Sequence, residues 1–90
     1  MSEVKQILEQ RGSRYGSFKD NADTTQALQD FFKSYPGWDK MDYFQREGLE
    51  MIAHKISRIL NGDPDYDDSW VDIAGYAQLV VDELRLQQKS

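Results

Sequence analysis

Apolar residues recur every three or four positions along most of the chain, which is the spacing of amphipathic helices. Alternation of apolar and polar residues with a period of two is nearly absent, so strands are not expected. The spacing predicts an all-α fold, a compact four-helix domain, with helices over about residues 2–11, 20–35, 40–60 and 68–87. The stripe of the second helix contains Phe18, Ala22, Thr25, Leu28, Phe32 and Tyr35.

Residues that end or begin helices lie between these stripes. Gly12 is expected to end the first helix, and Pro36-Gly37 to end the second. Residues 11–18, with the sequence RGSRYGSF, are rich in glycine and serine and are predicted to form a loop. Asp39 is a candidate N-cap for the third helix, which Asn61-Gly62 would end.

The length of the chain sets the size of its core. Ninety residues fit one domain, over residues 1–90. A chain of this length buries only about 60–65% of the surface that its unfolded form exposes. The core is therefore thin, and a homo-oligomer is expected because a second subunit would add burial.

Charge and composition exclude several classes of function. The net charge is −5, from 16 acidic and 11 basic residues, so nucleic acid is an unlikely partner despite a local basic patch at Arg11, Arg14 and Lys19. Cysteine is absent, which excludes disulfides and thiolate metal sites and fits a cytoplasmic location. No apolar run approaches the about 20 residues of a membrane span, and the N-terminal stretch is acidic and amphipathic, so no membrane partner is expected.

Acidic residues gather on one face of each of the last two predicted helices. On a helical wheel Glu47, Glu50 and His54 lie opposite the aliphatic face of the third helix, which contains Leu49, Ile52, Ile56, Ile59 and Leu60. Asp68 and Asp72 share a line on the fourth. Two interpretations stay open. The acids form ordinary solvent faces, or Glu47, Glu50, Asp68 and Asp72 converge and bind Mg²⁺, which favours oxygen ligands and is often completed by substrate phosphates.

Four residues are candidates for binding a phosphate or a base. Arg14, together with Arg11, could hold a phosphate while the ring of Tyr15 stacks on a base. Alternatively, Tyr15 and Phe18 anchor the predicted loop to the core, and the arginines pair with surface acids. His54 could contact a phosphate or only hydrogen-bond Glu50, one helical turn away. Lys55 could reach a phosphate or only extend its alkyl chain along the apolar surface.

Three segments also carry a resemblance to known proteins. RGSRYGSF (11–18), QREGLEMIAHKISRILNG (45–62) and DSWVDIAGYAQL (68–79) resemble a family of small helical proteins of bacteriophages and prophages. More remotely, the layout is similar to the MazG-type all-α nucleoside triphosphate pyrophosphohydrolases, which carry E-x-x-E on one helix and E-x-x-D on the next to hold Mg²⁺.

The remote resemblance implies roles for individual residues. Glu47 and Glu50 match the first acidic motif, and Asp72 matches the aspartate of the second. Ser69 stands where the second motif has glutamate, and the neighbouring Asp68 could compensate for it. Glu50 and Asp72 would then be the catalytic residues of a Mg²⁺-assisted attack of water on a phosphoryl group.

The residues and the resemblance together predict a phage-type nucleotide-binding protein. One form of this hypothesis is a Mg²⁺-dependent pyrophosphohydrolase located in the host cytoplasm. A second is a protein that sequesters a nucleotide without hydrolysing it, which the serine at position 69 would explain. A third is an acidic protein-interaction module that targets a host protein and binds no nucleotide.

Overall fold

The computed structural model describes residues 2–89, and these residues form helices joined by turns, with no strand among them. The all-α prediction is therefore confirmed. All four predicted helices are present, and a short additional helix lies between the second and the third. In chain order the helices are α1 (Ser2–Tyr15), α2 (Phe18–Lys33), α3 (Pro36–Asp39), α4 (Tyr43–Asn61) and α5 (Asp68–Lys89).

The first helix is longer than its sequence predicts. Gly12 lies inside α1 instead of ending it, and Phe18 begins α2, so the prediction of a loop over residues 11–18 is correct only for Gly16 and Ser17. A glycine inside a helix costs only about 1 kcal/mol relative to alanine, which neighbouring contacts can offset. Gly16 ends the helix, because its φ of 85° is favourable only for glycine.

The unpredicted helix α3 begins at a proline. Proline suits the first turn of a helix, because its fixed φ is helical and its missing N–H would have no partner there. Trp38 in this helix is buried and stacks on Phe32 of α2, with 5.7 Å between the ring centroids. The prediction that α2 ends near Pro36-Gly37 is thus correct, and the same residues begin α3. The predicted cap Asp39 belongs to α3, and Asp42 is the N-cap of α4.

Helix α4 is the centre of the fold, because it packs against α5 on one side and α2 on another. The residues that it buries are the small ones Gly48, Ala53 and Ser57, since two neighbours approach it closely. The predicted aliphatic face is only partly buried, and Leu60 at its end is 68% exposed.

Helices α4 and α5 pair in antiparallel order. Lys55 near the middle of α4 forms an ion pair with Asp72 near the start of α5, with 3.1 Å between Nζ and Oδ2. Gly48 near the start of α4 lies close to Val80 of α5. A Cβ at position 48 would be 2.6 Å from the Cγ2 atom of Val80. These two contacts fix the register of the pair.

The molecule is elongated, with extents of 52 × 27 × 25 Å. Within the described residues, Trp38 and Ala53 are the apolar residues that are buried, while many large apolar side chains remain exposed. The prediction of a thin core is consistent with this. No described helix is both long enough and apolar enough to cross a membrane.

We expect Gly16→Ala to lower the free energy of unfolding by about 2 kcal/mol or more. The alanine would have to adopt the left-handed backbone conformation of Gly16, and its Cβ would lie 2.7 Å from the Asn61 carbonyl oxygen. Denaturant unfolding followed by circular dichroism measures this loss.

Gly12→Ala is the matched control, four residues earlier in the same chain segment. Nothing lies within 4 Å of a Cβ at Gly12, so this change should stabilise α1 by up to about 1 kcal/mol. Equal effects of the two substitutions would contradict the described junction between α1 and α2.

Candidate functional site

Two adjoining clefts lie where α1, α2 and α4 meet. The first, of about 550 Å³, lies against the end of α1, and the second, of about 340 Å³, lies between α2 and α4. Phe18, Asn21 and Arg58 line both, so the two form one continuous depression. Their volumes lie within the range of small-molecule sites, about 300–1,000 Å³.

The junction between α1 and α2 is fixed to the end of α4 by hydrogen bonds. Asn21 Nδ2 donates to the carbonyl oxygen of Tyr15 at 2.7 Å. Asn61 Nδ2 donates to the Thr24 hydroxyl at 2.9 Å. The backbone N–H of Asp63, just after α4, donates to the carbonyl oxygen of Arg14, also at 2.9 Å. These bonds satisfy polar groups at the helix ends and hold the walls of the clefts in place.

Three arginines surround two neighbouring tyrosine rings beside the clefts. Arg11 and Arg58 lie on the ring of Tyr15, with guanidinium carbons 5.4 and 4.9 Å from its centroid. Arg14 lies 5.0 Å from the centroid of Tyr66, whose ring meets Tyr15 edge-on. Cation–π contacts of this kind orient a guanidinium while leaving its N–H groups free to bind other acceptors.

Within residues 2–89, none of these three arginines forms an ion pair with a carboxylate. In a chain with a net charge of −5, three guanidinium groups therefore lie near one another, although Asp68 is close to them through its hydrogen bond with Tyr15. Guanidinium groups hold phosphate and carboxylate oxygens through paired N–H donors. The site therefore has the chemistry of an anion-binding site.

Tyr15 is the centre of this cluster. Its hydroxyl donates to Asp68 Oδ2 at 2.9 Å, which ties α1 to the start of α5. This hydrogen bond, together with burial and the negative charge of Asp68, raises the pKa of Tyr15 from 10.0 to about 12. The hydroxyl is therefore protonated and donates a hydrogen bond at physiological pH.

The second cleft combines a histidine with an exposed aromatic ring. His54 lines it from α4, one helical turn before Arg58. Phe18 at the start of α2 is 87% exposed and offers a ring face at the boundary of the two clefts. A ring in this position can stack on a planar group of a ligand.

The structure separates the four predicted phosphate-binding or base-binding residues. Tyr15 and His54 line the clefts, and Arg14 lies beside them over Tyr66. Lys55 is placed elsewhere, because its ammonium group faces α5 and pairs with Asp72.

The four carboxylates predicted to hold Mg²⁺ are not brought together. Asp72 pairs with Lys55, and Asp68 accepts from Tyr15. The antiparallel register places Asp68 at the opposite end of α4 from Glu47, about 18 Å along the helix axis. No group of three or more histidines, aspartates or glutamates in the described part of the chain could hold a metal ion. Glu50 therefore has no such group around it, and magnesium stays a prediction from the sequence.

Arg58 and Phe18, which the sequence did not assign to a ligand, complete the site together with Arg11. Arg58 follows His54 by four residues, so the helical wheel of α4 could have placed both beside one ligand. Arg11 and Tyr15 are also four residues apart on α1. Because Gly12 is predicted to end the first helix, the sequence does not place them on one helical face. Phe18 was assigned to the core stripe of α2, and no sequence signal places it on the surface.

We expect Tyr15→Phe to lower the free energy of unfolding by about 1–2 kcal/mol near neutral pH, because the hydrogen bond to Asp68 is lost. The folded protein holds the Tyr15 proton more tightly than the unfolded chain, so this stabilisation is complete below pH 10 and disappears as the pH rises to about 12. Denaturant unfolding across this pH range should show the two proteins converging.

Tyr43→Phe is the control for this experiment. Tyr43 is 83% exposed, so removing its hydroxyl should leave the free energy of unfolding nearly unchanged. A constant difference between wild type and Tyr15→Phe over the whole alkaline range would contradict the hydrogen bond to Asp68.

Comparison with known proteins adds one result. A family model described as a domain of unknown function, DUF6378, matches residues 1–83, which include every residue that lines the two clefts. No curated protein and no solved structure matches the chain. The family match carries no link to bacteriophage proteins or to MazG-type enzymes. A match over most of its length shows that the chain belongs to the DUF6378 family.

Proposed function

We propose that this protein binds a nucleotide or a related phosphate in the two clefts between α1, α2 and α4. Three arginines without a carboxylate partner among the described residues carry the proposal. These three arginines stack on tyrosine rings, and the only side-chain hydrogen bond that they form within the described residues is that of Arg14 to the Tyr66 hydroxyl, so N–H donors of Arg11 and Arg58 remain for a ligand.

The residues divide the clefts into a part for phosphate and a part for a base. Arg58 lies on both clefts and Arg11 on the first, so their guanidinium groups are the main phosphate ligands in this proposal. His54 adds a third polar contact from the second cleft. The exposed ring of Phe18 supplies the stacking surface for a base, the role that the sequence assigned to Tyr15.

The choice of a nucleotide over other anions rests on the sequence motifs that resemble MazG-type enzymes and small phage proteins. In the same proposal the protein acts in the cytoplasm, within an infected host cell if a phage encodes it. A cysteine-free chain fits that compartment without requiring it.

Binding without hydrolysis is the favoured form of the proposal. Two of the carboxylates that hydrolysis would need, Asp68 and Asp72, already have partners in Tyr15 and Lys55. A protein that holds a nucleotide by arginines and a stacking ring does not require a metal. Turnover with Mg²⁺ is therefore tested as a separate outcome.

We expect isothermal titration with nucleoside mono-, di- and triphosphates, cyclic nucleotides and inorganic phosphate to identify a ligand. Arg58→Ala should weaken its binding by about tenfold to a hundredfold, because a charge-assisted hydrogen bond to phosphate is lost. Arg58→Lys should recover only part of the affinity, because lysine keeps the charge and loses the paired donors.

Lys33→Ala is the control for charge, since it removes one positive charge from an exposed position outside both clefts. It should leave the affinity nearly unchanged. Failure of every phosphate compound to bind the folded protein would refute the proposal and leave the acidic protein-interaction module as the remaining hypothesis.

The hydrolysis hypothesis makes a different prediction for the same samples. If the protein is an enzyme, Mg²⁺ should produce pyrophosphate from a bound triphosphate, and Glu50→Gln and Asp72→Asn should abolish this product. For a sequestering protein we expect the ligand to be recovered intact, with both substitutions leaving its affinity within about threefold. Chromatography of the ligand after incubation separates the two cases.

A further inference from the structure

The protein exposes more surface than a monomer of its size requires. Its solvent-accessible surface is 6721 Å² for a mass of 10.5 kDa. Folded monomers of this mass expose about 5,400 Å². The excess of about 1,300 Å² exceeds the about 800 Å² per partner of a standard protein interface and lies in the range of obligate dimers.

The outer side of the α4–α5 pair is the longest apolar part of this excess. Helix α5 packs chiefly against α4, so much of its circumference faces solvent. Val71, Leu79 and Leu86 are each about 62–63% exposed. With Gly75 they follow one line on the helix, about 22 Å long at 1.5 Å per residue.

Two shallow clefts meet at the centre of this line. One lies along α5, and the other lies between α5 and the start of α4, where Phe44 and Glu47 form its wall. Leu79 and Tyr76 line both clefts. A ridge between two grooves is the surface shape that helix-to-helix packing uses.

Gly75 lies on the same line, between Val71 and Leu79. Nothing in the protomer lies within 4 Å of a Cβ at this position, so no internal contact accounts for a glycine here. Glycine inside an exposed helix costs about 1 kcal/mol relative to alanine. Close approach of another helix is the arrangement in which a missing side chain helps.

We propose that a second copy of this chain covers this surface and that the two α5 helices pair in antiparallel order about a two-fold axis near Gly75 and Leu79. A two-fold axis is the commonest symmetry of homo-oligomers and brings the same patch of each protomer together. The patch contains no residue of the anion-binding clefts, so this dimer does not depend on the proposed function.

Light scattering after size-exclusion chromatography should give twice the protomer mass of 10.5 kDa for the wild-type protein. Leu79→Glu should raise the dissociation constant of the dimer by about a hundredfold or more. Each dimer carries the substitution twice, once in each protomer, so the loss of apolar contact is doubled. Leu79 is exposed in the protomer, so the variant should keep the helical circular dichroism of the folded chain.

Leu8→Glu is the matched control. Leu8 is also 63% exposed, but it lies on α1, where Val4 and Ile7 form a second exposed apolar surface. The dimer should survive this substitution. Dissociation by Leu8→Glu and not by Leu79→Glu would place the interface on α1 and overturn the proposal.

Cross-linking tests the position of the axis independently of stability. The chain has no cysteine, so Leu79→Cys introduces a single thiol close to its own copy across the axis. A bismaleimide that spans about 8–10 Å, the distance between packed helix axes, should link the two protomers. Leu60→Cys, at the far end of α4, should remain unlinked. A monomeric wild type, or a dimer that Leu79→Cys fails to link, would refute the proposal.

Discussion

The close approach between the end of α1 and the end of α4 is the constraint on which the clefts proposed to bind an anion depend. Two glycines permit it from opposite sides. A Cβ at Gly16 would collide with Asn61, and a Cβ at Gly62 would collide with the backbone of Arg14. Because neither position carries a side chain, Asp63 can bond the Arg14 carbonyl, and the last turn of α1 lies over α4. Without that approach Tyr15 could not reach both Arg58 and Asp68.

This geometry gives one tyrosine several tasks. Its hydroxyl donates to a carboxylate of α5, its ring orients guanidinium groups from α1 and α4, and its backbone carbonyl accepts a hydrogen bond from the Asn21 side chain of α2. The helices contribute few large buried apolar side chains, so such polar contacts decide how α1 is held. They also explain how a protein of net charge −5 keeps three arginines together, since each guanidinium is stabilised by an aromatic ring instead of an acid.

The sequence predicts the number and type of the main helices, because their apolar spacing is regular, but it does not predict which faces meet. Helix α4 illustrates the reason. Its wheel has one aliphatic face, yet it packs against two neighbours, and the residues that it buries include Gly48 and Ser57, which no hydrophobic pattern selects. Whether the four predicted carboxylates converge depends on the register between α4 and α5. The ion pair between Lys55 and Asp72 fixes this register, and the sequence does not predict that pair. Either Gly12 or Gly16 could end α1 from the sequence alone. The two differ in their tertiary contacts, because only Gly16 lies against Asn61.

The same small residues limit what the protomer can bury by itself. A helix held between two others through glycine, alanine and serine brings their backbones close but removes little apolar area from water. Large side chains such as Leu79 and Val71 then remain mostly on the outside, where they contribute little to the stability of a single chain. The small residues on α4 thus have two consequences: the helices pack closely around α4, and a large apolar surface stays exposed. In the proposed dimer, association of two chains would recover this burial and would leave the clefts of α1, α2 and α4 open to the proposed ligand.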